Sequence, residues 1–467
     1  MPRIITEKTF YQYLKCPNWV YFDAHGDTRA HDPLLGKLID EGLIEEKERQ
    51  VIASRPDVAE VLAEDPERAF EQTLAFMRDG RQTIYHGVLV DRHCVAHPDV
   101  LERVEGRSRF GNYYYVAADI KRARELRDDF KFQGCFYAEL LHKVQDTKPL
   151  QGYVITPEGT VLSYLIEEFE ATYKLALDDI EAIVAGVKPV HFVTSSCKQS
   201  PWFSECKKTS TACHDLSALN RVWGEEIHRL ENAGIKTVEQ MASRSVHDLA
   251  RMVPDMNPMR LELLRDHAVA LRNQTHAVRG RADFPASRVE LFFDIESDPL
   301  RDFDYLFGVL KVEQGKEEYI SFLADYPDRE GENWRAFAEF IESHHDAIIY
   351  HFGWYEQEVC RRLAAKYGAS SIAREAFERN MIDLLITARQ TVVFPLTFYS
   401  LKDIGAYLGF AWRSEDASGA NSVLWFEEWL KSKNDTLKVK ILEYNEDDCR
   451  ATKVLQRWLR EHASDHV

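Results

Sequence analysis

The sequence predicts an α/β protein built from more than one domain, and three observations support this fold class. The chain has 467 residues, which is enough for two or three domains of ordinary size. Its residues are 45% hydrophobic and 29% charged, a balance that allows each domain a buried core. Short apolar runs typical of strands alternate with helical patterns along most of the chain. We therefore expect compact α/β units rather than a repeat array or a low-complexity chain.

The pattern divides the chain into regions 1–213, 214–280 and 285–467. The first is predicted to be α/β, with strand-like runs such as "TIYHGVLV" and "YYYVAADI", and it ends in a cysteine-bearing connector, "HFVTSSCKQSPWFSECKKTSTAC". The second consists of short helices and turns, and a basic linker, "RNQTHAVRGRADFPASR", leads into the third. The third begins with the hairpin-linked strands "LFFDIESD", "YLFGVLKV" and "EEYISFLAD" and continues with "AIIYHFG" and several helices.

Charge and composition exclude several functional classes. The formal net charge is −18, which argues against coating nucleic acid through overall charge but leaves room for local basic grooves and acidic pockets that need divalent cations. The first residues contain no apolar signal core, and no stretch approaches the ~18 apolar residues of a membrane span, so we expect a cytoplasmic protein without membrane partners. Eight cysteines in such a chain indicate reduced thiols or metal ligands.

Acidic side chains interrupt apolar patterns in the third region. In the strand "LFFDIESD", Asp294 and Glu296 point to the same side. In the helical run "ILEYNEDDCRATKVLQRWLREH", Asp448 lies in the apolar stripe one turn beyond Tyr444, whereas Asp447 lies nearer the edge, where water can reach it. Glu356 is expected in the first turns of a helix after "AIIYHFG". These acids could hold Mg²⁺ or Mn²⁺, and two such ions could stabilise both oxygens that exchange at a phosphodiester.

This ordered set resembles the DEDDy branch of ribonuclease-H-like 3′–5′ exonucleases, and most closely the YprB-type domain. The resemblance implies that Asp294, Glu296, Glu356 and Asp448 hold two metal ions and that Tyr444 orients the attacking water. One departure is that the middle motif usually offers Asn and then Asp, whereas "HFGWYE" offers Glu356 in the Asp position. The neighbouring aromatic pair "WY" could stack a terminal base or could pack in the core.

A second set of polar residues lies in the first region. "AHPDV" supplies Asp99, "AADIKRA" supplies Asp119 and Lys121 on one strand face, and "FQGCFYAELL" supplies Gln133 and, one turn later, Tyr137. Two carboxylates with a lysine suit metal-dependent phosphodiester hydrolysis. The order resembles the PD-(D/E)xK nuclease core in its RecB-like form, which also implies an upstream acid. That acid is Glu46 or its neighbour Glu45.

The cysteines and the helices that follow the connector each allow more than one interpretation. Cys16, Cys197 and Cys206 resemble the four-cysteine iron–sulfur latch of RecB-like nucleases, which implies a [4Fe–4S] cluster. Position 200, where a fourth cysteine is expected, is Ser, so Ser200 or Cys213 would complete the cluster. The alternatives are a bound zinc ion and a cluster that has been lost. The run "LSALNRVWGEEIHRLENAGIKTVEQMA" resembles a helix-hairpin-helix unit that contacts DNA phosphates, with a plain helical spacer as the alternative.

A basic stripe follows the lysine of the first region. Arg124, Arg127 and Lys131 have helical spacing and could follow a phosphate backbone. The alternative is a solvated helix face neutralised by neighbouring acids.

The whole order resembles a bacterial RecB-like nuclease family with a C-terminal YprB-type domain. It implies an N-terminal restriction-endonuclease-like α/β core, a small helical-hairpin linker, and a C-terminal ribonuclease-H-like mixed sheet with helices. The implied activity is metal-dependent hydrolysis of nucleic acid: a 3′–5′ exonuclease on single-stranded DNA in the third region, and cleavage of ends or flaps in the first. The alternatives are a nucleic-acid-binding scaffold with one or both sites inactive, and an enzyme directed at RNA. The sequence names no helicase, repair or defence partner.

Overall fold

The computed structural model describes residues 4–26, 48–121, 126–156, 159–189, 197, 200–203, 205–206, 215–298, 303–414 and 418–463. Contacts along the chain form two compact units, Met1–Lys207 and Lys208–Val467. None of the described helices is both long enough and apolar enough to cross a lipid bilayer.

The first unit is built on a mixed sheet. Its described strands are β1 Val58–Glu60, β2 Thr83–Tyr85, β3 Leu89–Asp91, β4 Cys94–Ala96, β5 Val100–Ser108, β6 Gly111–Ile120, β7 Gln151–Ile155 and β8 Val161–Leu165. Its described helices are α1 Glu7–Lys15, α2 Pro17–His25, α3 at 48–53, α4 Pro66–Arg78, α5 Asp128–Gln145 and α6 Glu167–Ala185. Six strands pair in the order β1–β2–β5–β6–β7–β8, and β3 and β4 form a separate hairpin. The predicted strands "TIYHGVLV" and "YYYVAADI" are confirmed as β2, β3 and β6.

Helix α5 packs on this sheet because its apolar residues recur every three or four positions. Phe132, Phe136 and Leu140 are buried in one cluster with Tyr115 of β6. Strand β6 pairs antiparallel with β5 and parallel with β7, so it lies inside the sheet. Residues at the end of β6 are therefore held on both sides, which fixes the position of any functional group there.

The second unit begins with a helical segment and continues with a second mixed sheet. The helices of the segment are α7 Gly224–Asn232, α8 Val238–Ala242, α9 Val246–Met252 and α10 Pro258–Asn273. The strands are β9 Ala277–Val278, β10 Val289–Asp298, β11 Phe303–Glu313, β12 Lys316–Leu323, β13 Ile348–His351, β14 Met381–Asp383 and β15 Val392–Val393. The later helices are α11 Glu330–Ser343, α12 Tyr355–Tyr367, α13 Ser371–Arg379, α14 Leu384–Thr391, α15 Leu401–Tyr407, α16 Gly419–Ser432 and α17 Asp435–His462.

The five main strands of this sheet follow the order β12–β11–β10–β13–β14. The first three are antiparallel, and β13 and β14 run parallel to β10. The predicted turn at "EQGK" is confirmed: Gln314 and Gly315 have φ of 52° and 80°, and Glu313 pairs with Lys316. This is the two-residue hairpin that the right-handed strand twist favours. β10, the strand that carries Asp294 and Glu296, is central in the sheet.

Helices cover both faces of the second sheet. On one face, Leu291 and Phe293 of β10 pack with Phe337 of α11. On the other, Phe292 packs with Cys449 and Leu455, and these lie on α17. Because strand side chains alternate, Asp294 and Glu296 continue the face of Phe292 and point toward α17. This alternation brings the acids of β10 toward those of the helix.

Candidate functional site

Three carboxylates meet where β10 ends against the middle of α17. One oxygen of each of Asp294, Glu296 and Asp448 lies within 4.8 Å of the others. In the part of the chain that the structure describes, this is the one group of three or more acidic, histidine or cysteine side chains that comes so close. Glu296 and Asp448 are 6% and 7% exposed, so water does little to screen their charges.

Burial and mutual repulsion shift the titration of all three acids upward. Burial, followed by the charges of Asp448 and Glu296, raises the pKa of Asp294 well above its usual range. Burial and the charge of Asp448 raise the pKa of Glu296 to about 8. Burial raises the pKa of Asp448 to about 6, although hydrogen bonds from neighbouring side chains oppose the shift. Such a cluster is stable when protons or cations neutralise it, and three hard oxygen donors fit Mg²⁺ or Mn²⁺.

A buried amide fixes the strand acids to the helix. Asn445, fully buried on α17, donates from Nδ2 to Oδ2 of Asp294 at 2.8 Å and accepts at Oδ1 from the Tyr319 hydroxyl at 2.8 Å. This position requires a glycine on the neighbouring strand: a Cβ on Gly308, the partner of Asp294 in β11, would lie 1.5 Å from Asn445 Oδ1. The sequence analysis missed Asn445, although its spacing of three residues before Asp448 in the buried stripe was an available signal.

Two residues from the segment between α14 and α16 complete the surroundings of Asp448. The indole nitrogen of Trp412 donates to Asp448 Oδ1 at 2.6 Å. The amine of Lys402 lies 5.2 Å from the centre of the Tyr444 ring and 5.8 Å from that of Trp412. Burial lowers the pKa of Lys402, and the charges of Asp448 and Glu296 act in the opposite direction. No sequence periodicity relates these positions to the acids, so sequence reasoning could not select them.

Tyr444 lies beside the acids with its hydroxyl protonated. It is 7% exposed, and it hydrogen-bonds to Asp448 one turn further along α17. Burial and the charges of Asp448, Glu296 and Asp294 raise its pKa well above the usual range. The phenol is therefore a hydrogen-bond donor throughout the neutral range.

Glu356 lies outside the group of three but close enough to act on it. It is 5% exposed, and among the described residues its Oε2 has no hydrogen-bond partner, with His351 Nδ1 at 3.6 Å. Burial raises the pKa of Glu356, and His351 reduces that shift. The charge of Glu356 also contributes to the raised pKa of Asp294. An unsatisfied buried carboxylate oxygen whose charge acts on Asp294 fits a further metal ligand.

One expectation for this helix is wrong. Asp447 is 4% exposed rather than solvated, because the backbone N–H and Nε of Arg413 donate to its two oxygens, both at 2.8 Å. Asp383, a further acid of the region, caps α14 by accepting from the N–H of Leu385 at 2.8 Å, and it also accepts from the N–H of Gly353 at 3.0 Å.

The first unit brings its own predicted residues together at the end of β6. Lys121 Nζ lies 3.4 Å from Asp119 Oδ2 and 3.9 Å from Asp99 Oδ2. The Tyr137 hydroxyl lies 3.0 Å from both oxygens of Asp119. Burial and the charge of Asp119 raise the pKa of Asp99 to about 7. Burial opposes the charge of Lys121, but the two carboxylates outweigh it and raise its pKa.

Other acids approach this pair, and sequence reasoning missed them. The charge of Glu48 contributes to the raised pKa of Asp99, and that of Glu7 to the raised pKa of Asp119. Glu48 stands two residues after Glu46 in the same acidic run, so testing each acid of that run would have found it. Glu46 and its rival Glu45 lie outside the described residues. Gln133 is buried and donates to the Glu7 carbonyl at 3.4 Å.

Two of the three predicted cysteine ligands in the first unit are hydrogen-bonded to each other. Cys16, Cys197 and Cys206 are all buried. A hydrogen bond with Cys197, followed by burial, raises the pKa of the Cys16 thiol, and Cys206 adds to the shift. Ser200 is buried and accepts from the Trp202 N–H at 3.2 Å. Cys213 lies outside the described residues.

The basic stripe after Lys121 is neutralised where it is described. Arg127 is paired with Asp129 at 2.5 Å, and Lys131 with Asp128 at 3.0 Å. Arg124 lies outside the described residues. The solvated, self-neutralised helix face is therefore the better interpretation of this stripe.

Comparison with known proteins identifies the second sheet and its helices. Residues 291–460 match a family model described as RNase_H superfamily. A search of curated proteins gave no match. The C-terminal part of the chain therefore contains a ribonuclease-H-like domain, which supports a nuclease acting on nucleic acid.

Proposed function

We propose that the ribonuclease-H-like domain is a divalent-metal-dependent 3′–5′ exonuclease that degrades single-stranded nucleic acid. The observation that carries this proposal is the convergence of Asp294, Glu296 and Asp448 beside a protonated tyrosine. Asp294, Glu296, Asp448 and Glu356 would hold Mg²⁺ or Mn²⁺. When bound, these ions would stabilise negative charge on the oxygens that exchange at the phosphodiester.

The protein's own groups supply orientation and charge. The Tyr444 hydroxyl is hydrogen-bonded to Asp448, so its oxygen can accept a hydrogen bond from the attacking water and hold that water in line with the phosphodiester. The Lys402 ammonium is the cation beside the acids and can contact the non-bridging phosphate oxygens. Trp354, 70% exposed and two residues before Glu356, offers a face on which the terminal base can stack.

The test is degradation of a 5′-labelled single-stranded oligonucleotide, as DNA and as RNA, with Mn²⁺. We expect wild type to give a ladder that shortens from the 3′ end. Asp448→Asn should abolish the ladder, and Tyr444→Phe should lower kcat by ~10²-fold or more because it removes a hydrogen bond at the reacting water. Glu461→Gln, which removes an exposed acid from the same helix, is the matched control and should leave the rate unchanged.

Other outcomes of this assay select the alternatives. A ladder that Asp448→Asn retains would refute the assignment of the acids. Binding of DNA and RNA without any cleavage would favour the scaffold. Degradation of RNA alone would make the enzyme a ribonuclease.

A second hydrolytic site is supported by the pair Asp99 and Asp119 with Lys121, in a RecB-like domain that we place at 1–213. The amine lies within 4 Å of both acids, so it can stabilise charge at a phosphate that the acids bind through a metal. Cleavage of duplex ends or flaps that is lost in Lys121→Ala, and kept in Asp448→Asn, would locate this activity in the first unit. The three cysteine thiols support a zinc ion or an iron–sulfur cluster nearby, which metal analysis of the purified chain distinguishes.

A further inference from the structure

A cleft of about 310 Å³ opens in the second unit between the helical segment and α14. We call it the arginine cleft and define it by Arg221, Trp223, Arg260 and Arg389, which lie on its walls. None of the residues that line it is acidic. In a chain with a net charge of −18, this is an unusual concentration of cations.

Two of the three guanidinium groups form no ion pair with any residue that the structure describes. Arg260 is satisfied, because it donates from Nε and Nη2 to Glu226 at 2.7 and 2.8 Å. Among the described residues, the side chains of Arg221 and Arg389 make no ion pair or hydrogen bond. Burial and the nearby charge of Arg221 lower the pKa of Arg389, and the charge of Asp383 only partly opposes this shift, so the two cations of the cleft repel each other. An anion between them would relieve that repulsion.

An exposed aromatic ring stands beside these cations. Trp223 is 63% exposed, so its ring is not part of the core. Its backbone is fixed, because its N–H donates to Glu226 Oε2 at 2.9 Å at the start of α7. Guanidinium groups next to an accessible indole provide what a nucleotide needs, since the phosphate meets charge and the base meets a flat apolar face. A free phosphate ion would use the charges alone.

The walls of the cleft are held together by a buried histidine. The backbone N–H of Asn220 donates to Nδ1 of His267 at 2.9 Å, so Nε2 carries the proton and donates to the Leu396 carbonyl at 3.0 Å. The Asn220 side chain donates to the Thr397 carbonyl at 2.8 Å. Burial lowers the pKa of His267 to about 4, so the ring stays neutral and keeps both bonds at neutral pH. The cleft is therefore preorganised for its ligand.

The same helix that carries Arg389 starts beside the acids. Asp383 caps α14 and accepts from the Gly353 N–H, three residues before Glu356. Arg389 stands six residues further along, about 9 Å at 1.5 Å per residue. We propose that the arginine cleft binds the backbone and one base of a single nucleic-acid strand whose end is held at the acids. This inference rests on the proposed function and adds a second contact point for the same substrate.

The test measures the salt dependence of strand binding by the full chain. Fluorescein-labelled oligothymidylate of ~20 nucleotides is titrated in EDTA, which prevents hydrolysis, over a series of KCl concentrations. We expect Arg221→Gln/Arg389→Gln to reduce the slope of log K against log salt by ~1.4, because each lost phosphate contact on a single strand removes ~0.7. Trp223→Ala should weaken binding ~5- to 150-fold without changing the slope.

The matched control is Arg335→Gln/Arg379→Gln, which removes the same charge from α11 and α13. It should leave both affinity and slope unchanged. Thermal unfolding of each variant shows whether the second unit still folds. The salt slope counts phosphate contacts, so in a folded variant a lower slope means that the lost arginines contacted phosphates.

A cleft variant with the wild-type slope would overturn the inference, as would wild type that does not bind the strand. Two results together would also overturn the inference and indicate a simple anion site. In these, Trp223→Ala binds the strand as tightly as wild type, and inorganic phosphate displaces the strand equally from both proteins. Failure of the proposed function looks different: binding with all of these cleft effects, but no 3′ degradation with Mn²⁺, would refute the exonuclease and leave the cleft standing.

Discussion

Binding of a divalent metal to the acids should release protons, in a number that depends on pH. Burial and the charge of Asp448 raise the pKa of Glu296 to about 8 in the metal-free protein. At pH 7 this side chain therefore carries ~0.9 proton, and at pH 9 only ~0.1. A metal ligand must be deprotonated, so binding at pH 7 should release ~0.8 proton more from Glu296 than binding at pH 9. Metal affinity should rise with pH over this interval, by at most about tenfold per unit for each displaced proton.

The release can be counted by calorimetry of Mn²⁺ binding in buffers with different ionisation enthalpies. Wild type is compared with Glu296→Gln, which lacks the titrating group, and the difference between the two isolates Glu296 from other metal sites in the chain. We expect the difference to be ~0.9 proton at pH 7 and ~0.1 at pH 9. An equal count at both pH values, or no proton release at pH 7, would refute the reasoning that burial and like charge keep this carboxyl protonated.

Two further predictions concern close packing and a buried ion pair in the second unit. Gly308→Ala places a methyl group on the oxygen of Asn445, so it should lower the melting temperature of the second unit and abolish exonuclease activity, whereas Gly419→Ala, which meets nothing within 4 Å, should do neither. Arg362→Met leaves the carboxylate of Asp304, 1% exposed, without the guanidinium that lies 2.5 Å away, so it should cost ~3–5 kcal/mol of stability in thermal unfolding. The double variant with Asp304→Asn should recover part of that loss, and a double variant as unstable as the single one would contradict this explanation.

Much of the ribonuclease-H-like fold follows from local patterns in the chain. The hairpin-linked strands and the long terminal helix were predictable because apolar residues recur at spacings of two or of three and four. The same periodicity brought Asp294 and Glu296 to one face and Asp448 into a buried stripe. These residues reach each other because both elements bury the side on which the acids stand.

What periodicity could not supply are contacts between elements that lie far apart in the sequence. Trp412 approaches the acids from a loop and Lys402 from the short helix α15, and no sequence spacing relates either residue to the acids. Asp447 was expected in water because its position on the helix faces the edge, but a neighbouring loop supplies Arg413 to bury it. The sequence analysis did not predict the arginine cleft for the same reason, because its three arginines come from a turn, from α10 and from α14.

The run Glu446–Asp447–Asp448 places three successive acids on α17, and Arg413 forms ion pairs with the first two. Its guanidinium pairs with Glu446 at 3.0 Å and with Asp447 at 2.8 Å, while Asp448 is left to the indole of Trp412. Arg413 therefore acts as an internal counter-ion that neutralises Glu446 and Asp447 and leaves the charge of Asp448 available. A metal ion at this helix therefore meets one available carboxylate rather than three. Without the Arg413 guanidinium, Glu446 and Asp447 would compete with Asp448 for the ion and would hold it away from the acids of β10.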